Sequence, residues 1–316
     1  MKYNAKATYN DKFESNNTIN NAKHINLPFD SADSKRFTKI EPEGNDVDYF
    51  EIEIEAGEIL AIETVRGNLD TVIGVFDAGT GDLLAADDDG GDGLLSRLLL
   101  QANEDLELAI AVSSFPDLDF TGAGEGSGRY VLVVHKYQGT VLAAGDDTST
   151  EVIFNGFTFP FQGTDWSSVF VNSNGNLTFG AGSTDFSETV PELLAGPPRI
   201  APRWDDLNAA GGIVIAEEDD DDKLIIHFVS VPEFGTTSPN YFSVELDEDG
   251  EAEIEYFATS RTDGLTGITQ GGGAADPGEE DLSEDDDHPA TGTTYELFST
   301  ADVFSFDLFF SELDFE

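Results

Sequence analysis

Residues 48–65 read DYFEIEIEAGEILAIETV, and they alternate. Phe50, Ile52 and Ile54 fall on one side, Glu51, Glu53 and Glu55 on the other. Gly57 then marks a turn, and Ile59 and Ile62 open a second run. A period of two with one charged side is the pattern of an antiparallel strand with one face in a core and the other in water. TVIGVFDAGTGDLLAAD (71–87) reads as strand, turn and strand with AGTG at the tip; LELAIAVSS (106–114) and GRYVLVVHKY (128–137) are further strands. After Tyr137 the stretch QGTVLAAGDDTST is small and polar and reads as a linker over 139–150. A second strand series follows, in EVIFNGFTFPF, SVFVNSNGNLTFG, GIVIAEE, KLIIHFVSV and NYFSVELDEDGEAEIEYF, with Asn174-Gly175 and Asp249-Gly250 as hairpin turns. SETVPELLAG has room for one short helical turn, and residues 271–292 form a long acidic Gly/Pro loop.

Many short strands separated by Gly and Asp turns predict an all-β chain of two tandem antiparallel β-sandwich domains. A polar arm (1–20) precedes the first sandwich (21–138), and the second spans 151–316. The end of the chain, ADVFSFDLFFSELDFE, puts Phe304, Phe306, Leu308 and Phe310 on one strand face, with a register change at Ser311–Glu312 before Leu313 and Phe315. Three readings stay open there: a last strand packed on its own domain, a strand that docks on a neighbouring subunit, or a bulged or helical end.

Charge narrows the possible partners. The chain of 316 residues carries a net charge of −49, unevenly: residues 1–40 hold seven Lys/Arg against four Asp/Glu, the remainder eight against sixty. Such a surface repels nucleic acid and anionic membranes, and either attracts divalent cations or keeps the protein soluble in high salt. Cysteine is absent, so disulfides and thiolate metal sites are excluded. The first twenty residues lack the apolar core of a signal peptide, and no apolar run approaches membrane-spanning length.

The densest acidic run is DDDGGDG, with Asp87, Asp88, Asp89 and Asp92. An EF-hand loop begun at Asp87 would need an oxygen ligand where Gly91 stands and Glu where Leu98 stands. A β-roll nonapeptide needs Asp where Leu95 stands, and the unit does not recur. A calcium site outside both motifs and a solvated loop remain. Asp205 and Asp206, after the apolar run RIAPRW, are a further acid pair that either binds an ion or accepts hydrogen bonds from Arg199, Arg203 or a loop amide. The run Glu217–Asp222 reads as a solvated hairpin tip. Nothing marks a nucleophile: no Gly-x-Ser-x-Gly elbow, no His-Glu-x-x-His and no phosphate-binding Gly/Lys loop occur. His135 and His227 lie within strand patterns and read as packed or edge residues.

Two resemblances add to this. ESNNTINNAKHINLP, NDVDYFEIEIEAGEILAIET, LDTVIGVFDAGTGDLLAADDD and GSGRYVLVV, in order over about residues 12–137, resemble the bacterial pre-peptidase C-terminal domain. That resemblance implies a jelly-roll-type sandwich without catalysis of its own, which accompanies secreted enzymes and in some members binds calcium. It implies ligands at Glu14, Asn16, Asn17, Asn45 and Asp48. FPFQG, VFVNSNGNLTFG, PRIAPRWDDLNAAGG, YFSVELDEDGEAEIEYF and DGLTGITQGGG, over about residues 145–298, resemble nidogen-like extracellular domains and imply an adhesive or scaffolding module. The expected protein is extracellular or at the cell surface, non-enzymatic and structural or adhesive, with Ca²⁺ as its ion. Its expected partners are proteins, including further copies of itself through the N-terminal arm or the C-terminal strand. The alternative is an accessory module that targets a secreted hydrolase to its substrate.

Overall fold

The computed structural model describes residues 13–31, 38–40, 46–142, 145–219, 222–258, 263–280, 282 and 291–299. The Phe-rich run from Phe304 to Phe315 and the candidate Asn45 lie outside these residues. The chain forms two compact units, residues 1–138 and 139–316. Among the described residues no helix is long and apolar enough to cross a membrane.

The first unit is a β-sandwich of two five-stranded sheets. One sheet orders β1 (Lys23–His24), β4 (Asp48–Ile54), β9 (Leu106–Ser114), β6 (Thr71–Asp77) and β7 (Leu83–Asp87). The other orders β2 (Phe29–Asp30), β10 (Gly128–Tyr137), β5 (Ile59–Gly67) and β8 (Arg97–Gln101), with β3 (Thr38–Ile40) also on β10. All pairings are antiparallel except the short one of β1 with β4. The alternation in β4 sets the register. Phe50 lies opposite Ile110 and Ile52 opposite Leu108, and all four enter a core shared with Leu60, Ile62, Leu132 and Val134 of the facing sheet. Each fully buried side chain of this size contributes about 1.5–3 kcal/mol.

The outer face of the first sheet is covered as well. Tyr49, Val72, Phe76, Ala109 and Ala111 pack against Phe120, which arrives on the loop after β9. The approach is close: a Cβ on Gly74 would lie 2.4 Å from the Phe120 ring, so only glycine fits there. Asp117 shapes this loop, accepting hydrogen bonds from Ser113 Oγ (2.7 Å), Thr121 N (3.0 Å), Thr121 Oγ1 (3.0 Å) and Gly122 N (2.8 Å).

The second unit opens with β11 (Thr140–Val141), which pairs with β18 (Ile213–Asp219). The described part of 139–150 is therefore built into this unit. One sheet orders β11, β18, β19 (Lys223–Pro232), β20 (Pro239–Asp247) and β21 (Ala252–Ala258). The other orders β12 (Ser149–Ile153), β15 (Ser168–Asn172), β16 (Asn176–Thr178), β17 (Arg199–Trp204), β22 (Asp263–Thr269) and β23 (Thr294–Ser299). Val169, Val171, Leu177 and Ile200 meet Leu224, Ile226, Phe228 and Val244 in the core. A hairpin of β13 (Phe159–Phe161) and β14 (Thr164–Trp166) adds Phe159 and Phe161, packed on Phe179 at 5.6 and 4.9 Å. The turns at Asn174-Gly175 and Asp249-Gly250 fall where the sequence puts them, and α1 (Val190–Ala195), capped by Thr189, is the short helical turn. β17 changes register between Ala201 and Trp204, around Pro202, which has no N–H for the ladder. Ala201 and Trp204 then face a second cluster with Leu193, Leu265 and Tyr295.

Burial pushes the Asp117 carboxyl up, but the hydrogen bonds from Ser113, Thr121 and Gly122 outweigh it and hold the group below the usual Asp value of 3.8. A depressed folded pKa gives stability that is present above the unfolded value and is lost as pH falls through the folded one. Asp117→Ala is expected to lower the calorimetric stability of the first unit by about 3 kcal/mol at neutral pH. The gap between wild type and Asp117→Asn is expected to close as acid protonates the wild-type group; a gap constant down through that range counts against this role.

Candidate metal centres

In the first unit the chain enters along β4. Phe13 is buried edge-on against Phe29 and Phe50, at ring distances of 5.9 and 5.3 Å. Asn16 exchanges two hydrogen bonds with Tyr49: Tyr49 N donates to Asn16 O (2.9 Å) and Asn16 Nδ2 donates to Tyr49 O (3.4 Å). This docking brings exposed Glu14 to buried Asp46 and Asp48, one carboxylate oxygen of each lying within 4.8 Å of the others. Tyr130 donates to Asp48 Oδ2 at 2.6 Å. The Asn17 amide reaches the same carboxylates, its nitrogen donating to Glu14 Oε2 and to Asp46 Oδ1, both at 3.2 Å. The side-chain Oδ1 of Asn16 is buried and has no hydrogen-bond partner. Oxygen-only donors of this kind suit Ca²⁺.

Of the residues the pre-peptidase resemblance implied, Glu14, Asn17 and Asp48 therefore come together and Asn16 lies beside them. Asp46 is the addition. It stands two residues before Asp48, the spacing that returns a side chain to one side of extended backbone, and that spacing was the signal available for it.

The run DDDGGDG is used differently. Asp87 Oδ2 accepts from Gly90 N and Arg97 N, both at 2.8 Å, and Asp88 Oδ1 accepts from Asp89 N at 3.0 Å. Ser96, fully buried, donates to Asp88 O at 3.0 Å and ties the loop to Thr64 and Thr71. Among the described residues no three carboxylates of this run converge.

Asp205 and Asp206 are adjacent in sequence but join different groups. Asp205 lies with Glu188 and Asp263; Asp206 lies with Asp146 and Asp147. The first group surrounds Arg203, whose side chain is fully buried. Its Nη2 is 2.7 Å from Asp205 Oδ2 and 2.8 Å from Glu233 Oε1, and its Nη1 donates to Asp263 O at 2.8 Å. A Cβ on Gly264, where φ is +128°, would lie 2.0 Å from Nη1, so only glycine admits the guanidinium. One cation faces four acids here. Burial first, then the charges of Glu233 and Glu188, outweigh Arg203 and push Asp205 up to about 7. Burial and Asp263 likewise raise Glu188. Beside them Arg199 lies 3.6 Å from the centre of the Trp204 ring and donates to Ser183 Oγ at 3.2 Å; burial pulls its pKa down to about 10. His227 Nε2 meets Glu217 at 3.0 Å and His135 stacks on Tyr137, so both histidines are edge or packing residues.

A family model described as NIDO related matches residues 123–303. The crystal structure of the pre-peptidase C-terminal domain of a collagenase from Bacillus anthracis is similar to 36% of this chain and 93% of its own, at 13% identity and a TM-score of 0.25. No curated protein matches the chain.

Arg203→Met leaves Asp205 and Glu233 buried without their counter-charge, which is expected to cost about 3–5 kcal/mol. Both tryptophans, Trp166 and Trp204, lie in the second unit, so urea unfolding followed by tryptophan emission reads that unit alone. A midpoint equal to wild type at neutral pH rejects the structural role of Arg203.

Proposed function

We propose that the chain, which belongs to the NIDO-related family, is a non-enzymatic extracellular protein that binds other proteins and assembles with copies of itself, its first sandwich fastened by calcium. The calcium part rests on one observation: Glu14, Asp46 and Asp48 meet within 4.8 Å, joining the entering segment to the strand that sets the core register. An ion there would tie Glu14 to β4 and offset the repulsion among the three carboxylates. Asn16 Oδ1, buried without a hydrogen-bond partner, would supply an amide oxygen.

A binding role is favoured over catalysis by how the charged groups are spent. The Asp87 carboxylate closes its own loop, and Arg203, Asp205 and Glu233 sit almost wholly out of solvent, where no substrate reaches them. Protein partners are supported by the sheet edge at β7. Leu83 and Leu84 are about half exposed there, and Leu94 stands 58% exposed. An edge strand with exposed leucines is a template for pairing.

Calcium at about 100 times its dissociation constant is expected to stabilise the first unit by about 2.7 kcal/mol, read as a raised calorimetric transition of the full chain. Glu14→Gln, at an exposed position, removes most of the gain; identical transitions in calcium and in chelator reject the ion. Assembly is tested separately. Light scattering after size exclusion is expected to find multimers of the full chain that revert to monomers with Leu84→Lys or without residues 301–316, and monomers throughout reject self-assembly.

A further inference from the structure

We propose that the basic segment of residues 1–12 docks on an apolar patch of its own unit, made by Leu94, Phe115 and Leu118 and rimmed by Asp70, Asp88 and Asp89. The patch is built around one peptide. The Asp70 carbonyl accepts from Phe115 N at 3.0 Å, and Thr71 N, of the same peptide unit, donates to Leu94 O at 3.2 Å. These two hydrogen bonds hold Leu94 and Phe115 on either side of the chain as it enters β6. Leu118 follows on the same loop as Phe115, its N donating to Pro116 O at 2.9 Å. Leu94 is 58% exposed, Phe115 44% and Leu118 47%. Leu83 and Leu84 stand apart from them, since Leu83 lies opposite Phe76 at the far end of β6. Large apolar side chains exposed together mark a binding surface.

The rim is acidic. Burial first, then the charges of Asp89 and Asp88, push the Asp70 carboxyl up, so the three acids share one neighbourhood. Among the described residues no ion pair reaches any of them. Such a surface fits an occupant with an apolar side and a cationic side. Residues 1–12, MKYNAKATYNDK, hold three Lys against one Asp. On extended backbone Tyr3, Ala5, Ala7 and Tyr9 share one side and Lys2, Lys6 and Lys12 the other. The rings would cover the patch, and the long Lys stems would carry their charges to the rim. The segment also leaves from the right place, because Phe13 is anchored on Phe50 and Glu14 beside Asp46 and Asp48. β4 and β6 both run antiparallel to β9, and Asp48 and Ile73 both lie opposite Val112, so Asp46 and Asp70 are at the same end of the sheet. Two strand spacings of about 4.8 Å separate β4 from β6, whereas twelve extended residues span about 40 Å. A segment tethered so close is at roughly millimolar effective concentration, which favours it over a second copy.

This docking depends neither on the calcium nor on the multimers proposed above, and its test is separate from theirs. The chain has no cysteine, so spin labels go only where Thr8→Cys and Asp119→Cys put them, Asp119 being exposed on the Phe115 loop. Pulsed electron paramagnetic resonance then reads the distance between the labels in the full chain, diluted in excess unlabelled chain so that only intrachain pairs count. A narrow distance peak is expected, weakened by raised salt. It is expected to give way to a broad distribution in Lys2→Glu with Lys6→Glu, and in Phe115→Ser with Leu118→Ser. Both patch positions are exposed, and an unmoved calorimetric transition checks that the second pair still folds. A broad distribution before any of these changes overturns the proposal. So does a narrow peak that appears only without dilution, which assigns the segment to a second copy, and so does a peak that survives both double variants.

Discussion

Like-charge repulsion is the force this protein has to manage. Two carboxylates about 4 Å apart cost about 1 kcal/mol in bulk water and about 4 kcal/mol at an effective dielectric of about 20. With 64 acidic residues against 15 basic ones, most acids have no Lys or Arg to meet. Wherever the fold makes carboxylates converge, something else must take up the field. Three devices recur: backbone amides, the buried guanidinium of Arg203, and carboxylate groupings whose geometry suits a divalent cation.

Each device goes with a degree of burial. Asp87 and Asp117 close loops by accepting from amide and hydroxyl donors of their own segments, so they need no counter-ion. Arg203 works where solvent is excluded, between Asp205 and Glu233, and its single charge leaves Asp205 poised near neutral pH. The group at Glu14 keeps one exposed acid at the rim with Asp46 and Asp48 buried behind it, the arrangement for which calcium is proposed.

The same economy shapes packing. Neither sandwich leaves both outer sheet faces wet. In the first unit the Phe120 loop, shaped by Asp117, covers one outer face; in the second, Leu193 of α1 covers the face that the irregularity at Pro202 presents. Apolar area that alternation alone would leave in water is thereby removed from it, and the polar residues that steer those loops become structural.

The sequence by itself determined the strands and the charge. Period-two alternation in 48–65, the Asn174-Gly175 and Asp249-Gly250 turns and the all-β class are local properties, because side-chain direction in a strand follows from backbone geometry. It also held the failure of DDDGGDG as an EF-hand, since that test is one of spacing. Tertiary structure decided which acids meet. Asp205 and Asp206 are neighbours in sequence yet serve different groups, because the chain turns as it leaves β17. Asp46 joins Glu14 only because Phe13 and Asn16 dock on β4, and Asn174 reaches Asp147 only through the turn that Ser173 ties to Thr148. Convergence of residues tens of positions apart depends on strand order and register, and no local pattern in the chain encodes those.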